Sequence, residues 1–301
     1  MMKRIRRTLA VGATMSALTL TAAIAPTAPA QAAPAGATQA RNARAQTAPL
    51  IVAYHGLTSA QQTKRFNTLS AQGYQPITVS ISIDSSGHSR YAAVWSTSGG
   101  AMGKLPFAMY QDMSSAGYQK RFEQYTAQGY LPAAVSATGV GASARFAAIF
   151  VKKPGVRFVA KHNITDDELR STTATARKNG MWLSALDVYG DASVYGSARY
   201  IAVWSTNGSS WLSGPESRDQ YAEEFKNATA LGASYPTIVA VNNYGRYIGV
   251  WRKDEKHGSW ASYVGMTAAG YQSRFDELKA KGFYPIHISA ENGIYAAIWT
   301  K

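Results

Sequence analysis

The chain contains no cysteine. That excludes disulfides in any compartment, so burial alone must hold the fold, and a mature chain of about 250 residues can supply it. Histidine is scarce as well. His55, His88, His162, His257 and His287 lie too far apart in sequence for a familiar metal motif, so the expectation is no metal and no cofactor. Acidic residues are few, 17 against 31 Lys plus Arg, for a formal charge of +14. Basic runs are also missing: after the first residues none exceeds two, which argues against nucleic acid as a partner. No segment beyond the N-terminal stretch approaches the roughly 18 apolar residues that cross a bilayer, so no integral membrane association is expected.

What is present begins with Met1-Met2-Lys3-Arg4-Ile5-Arg6-Arg7, an Ala/Thr/Leu-rich stretch to about Ala25, and small residues at cleavage-like spacing. This reads as a secretory signal peptide over 1–32, cut after Ala32 or else Ala30, and predicts a secreted, extracellular protein. Its removal takes four basic residues and no acidic one, leaving +10. A charge of that size favours solubility and adsorption to anionic wall polymers or lipid heads. Residues 33–49, Ala/Pro/Gln/Thr/Arg-rich with almost no large apolar residue, read as a disordered linker.

The remainder, 50–301, repeats itself. Tyr91-Ala92-Ala93-Val94-Trp95 returns as 146–150, 200–204, 247–251 and 295–299, with terminal aromatics spaced 55, 54, 47 and 48 residues apart. A second landmark precedes each copy: a capping residue followed 15 positions later by glycine, in the pairs Thr58/Gly73, Ser114/Gly129, Thr165/Gly180, Ser217/Gly232 and Thr267/Gly282. Ser or Thr accepts the free amides of a first helical turn and glycine ends the helix, so helices are predicted to start at about 59, 115, 166, 218 and 268. Inside each bracket an apolar stripe runs at helical period, as in Tyr118, Phe122 and Tyr125. Extended segments follow, and a short run such as Leu50–Tyr54 leads into each cap. The predicted fold is α+β, five strand-helix-strand-strand repeats (50–98, 99–152, 153–207, 208–256, 257–301) in a strongly curved or closed ring-like, propeller- or solenoid-like array. Trp95, Phe150, Trp204, Trp251 and Trp299 are expected as buried structural anchors.

Gly56-Leu57-Thr58, Tyr118-Gln119 with Phe122, Gly73-Tyr74-Gln75-Pro76 and Tyr295–Trp299 together resemble the bacterial tandem repeat family of about 50 residues per unit. Coverage is nearly all of 50–301; the third repeat departs most, with Thr173 in place of the helix Phe and Met181-Trp182-Leu183 at the proline turn. In that family such repeats stand alone or accompany a β-lactamase-type serine hydrolase domain, as in polyglycine hydrolases, and the resemblance brings no general function. The nucleophile of such a domain would need Lys three residues after Ser, and no Ser beyond the leader has one.

Chemistry is otherwise thin. Asp166, Asp167 and Glu168 follow a cap and suit a helix dipole. Asp187, Asp191 and Glu291, near strand ends, are the acids best placed for catalysis, but sequence brings no two of them together. Polar, variable residues just before the caps stand out: Tyr54, His55, Tyr110, Gln111, Lys161, His162 and Tyr263. A repeat array would gather them on one rim beside the helix N-termini, suited to an anionic or hydroxyl-rich ligand. The resulting expectation is a secreted, non-catalytic protein binding an extracellular polysaccharide, cell-wall polymer or secreted protein. A free-standing hydrolase with an unrecognised site and a protease-inhibitor-like protein are the alternatives.

Overall fold

The structure, a computed structural model, describes residues 31–32, 50–191, 196–206, 210–230, 234–253 and 259–301. The expected leader up to residue 30, the linker at 33–49 and Gly232 lie outside the described residues. In chain order the elements are β1 (Gln31–Ala32); then β2 (Ile51–Leu57), α1 (Ser59–Ala71), β3 (Gln75–Ile83) and β4 (Ser89–Ser96) in unit one. Unit two holds β5 (Phe107–Met113), α2 (Ser115–Thr126), β6 (Tyr130–Thr138) and β7 (Arg145–Lys152). Unit three holds β8 (Phe158–Ile164), α3 (Asp166–Lys178), β9 (Trp182–Gly190) and β10 (Ala198–Ser205). Unit four holds β11 (Ser210–Glu216), α4 (Arg218–Ala230), β12 (Ser234–Val241) and β13 (Tyr247–Lys253); unit five holds β14 (Trp260–Met266), α5 (Ala268–Ala280), β15 (Tyr284–Glu291) and β16 (Ile294–Thr300).

All five helices start one residue after the predicted cap. Thr58 with Gln61, Thr165 with Glu168 and Ser217 with Gln220 form reciprocal capping boxes that satisfy two orphan amides each. Gly73, Gly129, Gly180 and Gly282 lie just past the helices at φ between +69° and +80°, a conformation in which any side chain is strained.

Within each unit the aromatic strand is central, flanked antiparallel by the strand before the helix and the strand after it, as in β2-β4-β3. The pre-helix strand of each unit loses register near its end, between Tyr54 and Leu57 in unit one. A residue with positive φ sits in that bulge in all five units: Gly56, Asp112, Asn163, Gly214 and Gly265. Residues 31–32, read from sequence as the end of the leader, extend the outer edge of β5, with Gln31 opposite Met109.

The core lies between units as much as within them. Odd positions of the aromatic strand (Tyr91, Ala93, Trp95) pack under their own helix with Phe66 and Leu69, and the same cluster takes in Ala147, Ile149 and Val151 of unit two. The pattern recurs at the other joints, and the cluster under α5 takes in Ala92 and Val94 of unit one. The post-helix strands follow suit: β3 packs on β6, β6 on β9, β9 on β12, β12 on β15 and β15 on β3. Trp95, Phe150, Trp204, Trp251 and Trp299 are fully buried. The invariably small third position of the aromatic motif is explained most directly at Gly249, where a Cβ would stand 2.6 Å from the Trp251 ring nitrogen. Among the described residues no helix is long and apolar enough to cross a membrane.

Candidate functional site

The residues four before each cap, Tyr54, Tyr110, Lys161, Ser213 and Tyr263, do not form a solvent rim. The strand runs under its own helix, so at Tyr54, Tyr110, Ser213 and Tyr263 this position faces the unit's own anchor residue. Tyr54 and Tyr110 are only 7% exposed, which corrects the expectation that they line a ligand-facing edge. The Trp95 indole donates to the Tyr54 hydroxyl (3.0 Å), burial pushes that phenol up to about 12, and Ser213 receives the Trp251 indole in the same way (2.8 Å). Tyr110 shares a hydrogen bond with Tyr125 (2.6 Å) and lies beneath the Arg121 guanidinium. Tyr263, half-buried, meets Trp299 edge-on under Arg274. Lys161 alone of the seven expected site residues is exposed; its ammonium donates to Thr172 Oγ1 at 3.1 Å.

One residue closer to the cap, the side chains wedge into the joint with the preceding unit. His162 meets Tyr118 and Phe146 edge-on, with Nε2 3.1 Å from Ser115 Oγ, and burial holds its pKa below the ordinary value. His55 makes the equivalent contacts to Tyr271 and Tyr295 of unit five, with Nε2 3.3 Å from Gln272. Gln111 occupies the same position in unit two, half-buried. Both histidines are joint residues, and the structure brings them together neither with each other nor with Lys161 as a single patch.

A second polar system, missed in the sequence, lies along the post-helix strands. Ser80, Ser136, Asp187, Ala240 and Ser289 hold one register position, opposite Ala92, Ala147, Ile201, Ile248 and Ala296. Each polar member accepts the amide one residue beyond that position in the preceding unit: Ser136 from Ile81 (3.0 Å), Asp187 from Ala137 (3.0 Å), Ser289 from Val241 (3.2 Å), and Ser80 from Ala290 (2.9 Å). Where Ala240 offers no acceptor, the Val188 amide turns to the other Asp187 oxygen (2.9 Å). Aligning the five strands exposes this signal in the sequence, since four of the five positions are Ser or Asp within apolar runs.

Asp187 and Glu291, which sequence could not relate, meet here electrostatically. Burial lifts Asp187 to about 7 despite hydrogen bonds from Ser136, Ala137 and Val188. Burial, with a smaller push from the Asp187 charge, lifts Glu291 to about 8 although Thr138 donates to its Oε1 at 2.9 Å. Its Oε2 is buried with no partner among the described residues. Both residues are buried, with 6% and 7% of their surface exposed. Asp191, half-buried, lies beyond the end of β9.

The surface opens in unit three. A groove of about 310 Å³ runs between β8 and α3, with Lys161, Thr172, Thr175 and Asn179 at its polar side and Ala176 and Met181 on its floor. Among the described residues no cluster of three or more His, Asp or Glu could hold a metal.

The model of a family described as polyglycine hydrolase-like, structural repeat, matches four times, at residues 48–98, 104–153, 155–207 and 257–301. The matched stretches coincide with units one, two, three and five, and the fourth unit lies between the last two with the same order of strands and helix. Matches over more than half of the chain, each falling on one structural unit, place this protein in the family of polyglycine hydrolase-like structural repeats.

Proposed function

We propose that this is a secreted, non-catalytic repeat protein that binds an extracellular polymer or protein, with its five units in a closed ring-like array. Closure is supported by the bond between Ser80 and the Ala290 amide and by the burial of Ala92 and Val94 against unit five. The observation that carries the binding reading is the break in symmetry at unit three. Tyr54 and Tyr110 at the equivalent position are sealed in the core, whereas Lys161 stands in solvent beside an open groove. The acids that would be first candidates for hydrolysis, Asp187 and Glu291, are instead tied into the joints between units. The surplus of 10 positive charges left after removal of residues 1–32 adds a general attraction for anionic polymers.

The test is retention of the protein on insoluble cell-wall, chitin and plant-wall fractions, with salt elution and with Lys161→Ala in parallel. The reading expects retention that Lys161→Ala weakens. No retention on any fraction at low ionic strength would overturn it. Retention unchanged in Lys161→Ala but lost at about 0.5 M salt would transfer the effect to the charge of the whole surface.

A further inference from the structure

The groove in unit three is a space that units two and five fill with their own side chains. In unit two the equivalent positions carry Tyr110, Arg121, Tyr125 and Tyr130. The guanidinium lies 4.5 Å from the Tyr110 ring centroid, and the ring centroids of Tyr125 lie 5.5 Å from Tyr110 and 5.1 Å from Tyr130. In unit five, Tyr263 and Arg274 repeat the stack at 4.5 Å, above Leu278. Unit three has Lys161, Thr172, Ala176 and Met181 at those places, and the substitutions from large to small converge on one spot. A cavity of about 310 Å³ remains.

The walls define what would fit. Ala176 and Met181 are buried and leave an apolar floor where the second unit packs tyrosine rings. The Thr175 hydroxyl spends its proton on the Ser171 carbonyl (3.0 Å), and the Asn179 amide donates to the Thr175 carbonyl (2.9 Å). Both retain acceptor lone pairs. Lys161 uses one of its three donors on Thr172, and carries the groove's positive charge.

We propose that this groove is a binding site for an aromatic carboxylate of about the size of tyrosine, its ring on the Ala176–Met181 floor and its acid on the Lys161 ammonium. The ring replaces the aromatic side chain that the unit lacks, and the carboxylate pairs with a cation that in units one, two and five is a tyrosine. The proposal rests on the binding reading above and narrows it to one chemistry. That chemistry belongs equally to a free aromatic acid and to a polypeptide ending in an aromatic residue.

Calorimetric titration of the mature protein with N-acetyl-L-tyrosine tests it, alongside N-acetyl-L-tyrosinamide, which lacks the charge, and N-acetyl-L-alanine, which lacks the ring. Saturable binding of the first is expected, at least about tenfold tighter than either control. The double variant Lys161→Tyr with Thr172→Arg restores the stack found in unit two and should abolish binding without lowering the melting temperature. Acid and amide binding equally, undiminished binding by the filled variant, or no saturable binding by the native protein would overturn the site. A peptide ending in free tyrosine that binds more tightly than the free amino-acid derivative identifies a chain terminus as the source, and the reverse ranking identifies a small acid. Loss of the tyrosine signal with polymer retention intact sinks the groove alone; lost retention with tyrosine binding intact sinks the polymer reading alone.

Discussion

Glu291→Gln should make the protein more stable in mild alkali and leave it nearly unchanged in acid. Glu291 is displaced from 4.5 to about 8 by burial. In the folded state it therefore keeps its proton across a range in which the unfolded chain has already released it. Its contribution is fully present below pH 4.5, declines as pH rises, and is lost once pH passes about 8. A displacement of that size is worth about 3–5 kcal/mol at pH 8.5 relative to pH 4. Glutamine keeps an acceptor for Thr138 and cannot ionise, so the variant lacks this slope. Asp187, raised to about 7, slopes the same way, and His287, lowered to about 4 by burial, opposes it at the acid end. Both remain in the variant, so the difference between the two proteins reports position 291 together with its coupling to Asp187. Thermal melts from pH 4 to 9 should show the variant's lead growing to about 10 °C, at roughly 2–4 °C per kcal/mol for a domain of this size. Melting curves that shift in parallel with pH would refute the burial argument.

Three further outcomes follow from the packing. Trp251→Ala empties a fully buried site and strips Ser213 of its indole donor, so it should cost about 3–5 kcal/mol in urea unfolding. Ser80→Ala leaves the Ala290 amide without its acceptor at the joint of units one and five, and should cost about 1–3 kcal/mol by the same assay. Tyr54→Phe removes the acceptor of the Trp95 indole and should lower the melting temperature, whereas Lys161→Ala, on the surface, should leave it within about a degree or two.

The helices were legible because their determinants are local. Thr58, Ser114, Thr165, Ser217 and Thr267 act within four residues, and a terminating glycine acts on its own backbone. The strands were legible through alternation. The site was not, because the decisive feature is a bulge. Between Tyr54 and Leu57 the left-handed Gly56 changes which residues face inward, so Tyr54 enters the core while His55 turns to the neighbouring unit. Polarity and variability just before a cap therefore indicated the joint between units and not an open edge. The relation of Asp187 to Glu291 depends on how separate units meet, which no single repeat encodes.

The bond between Ser80 and Ala290 also bears on how the chain reaches its native state. It joins residues 210 positions apart, and the Thr138–Glu291 bond likewise reaches from unit two to unit five, whereas the matching amide bonds of Ser136, Asp187 and Ser289 link consecutive units. In a row of repeats, order spreads from neighbour to neighbour and the ends fray first. Here the two terminal units hold each other, so the last joint must wait for a long loop to be drawn together, a slow step with a large entropic cost. Once it is made, neither end is free to peel away, and loss of structure has to begin by parting a joint between two already folded units.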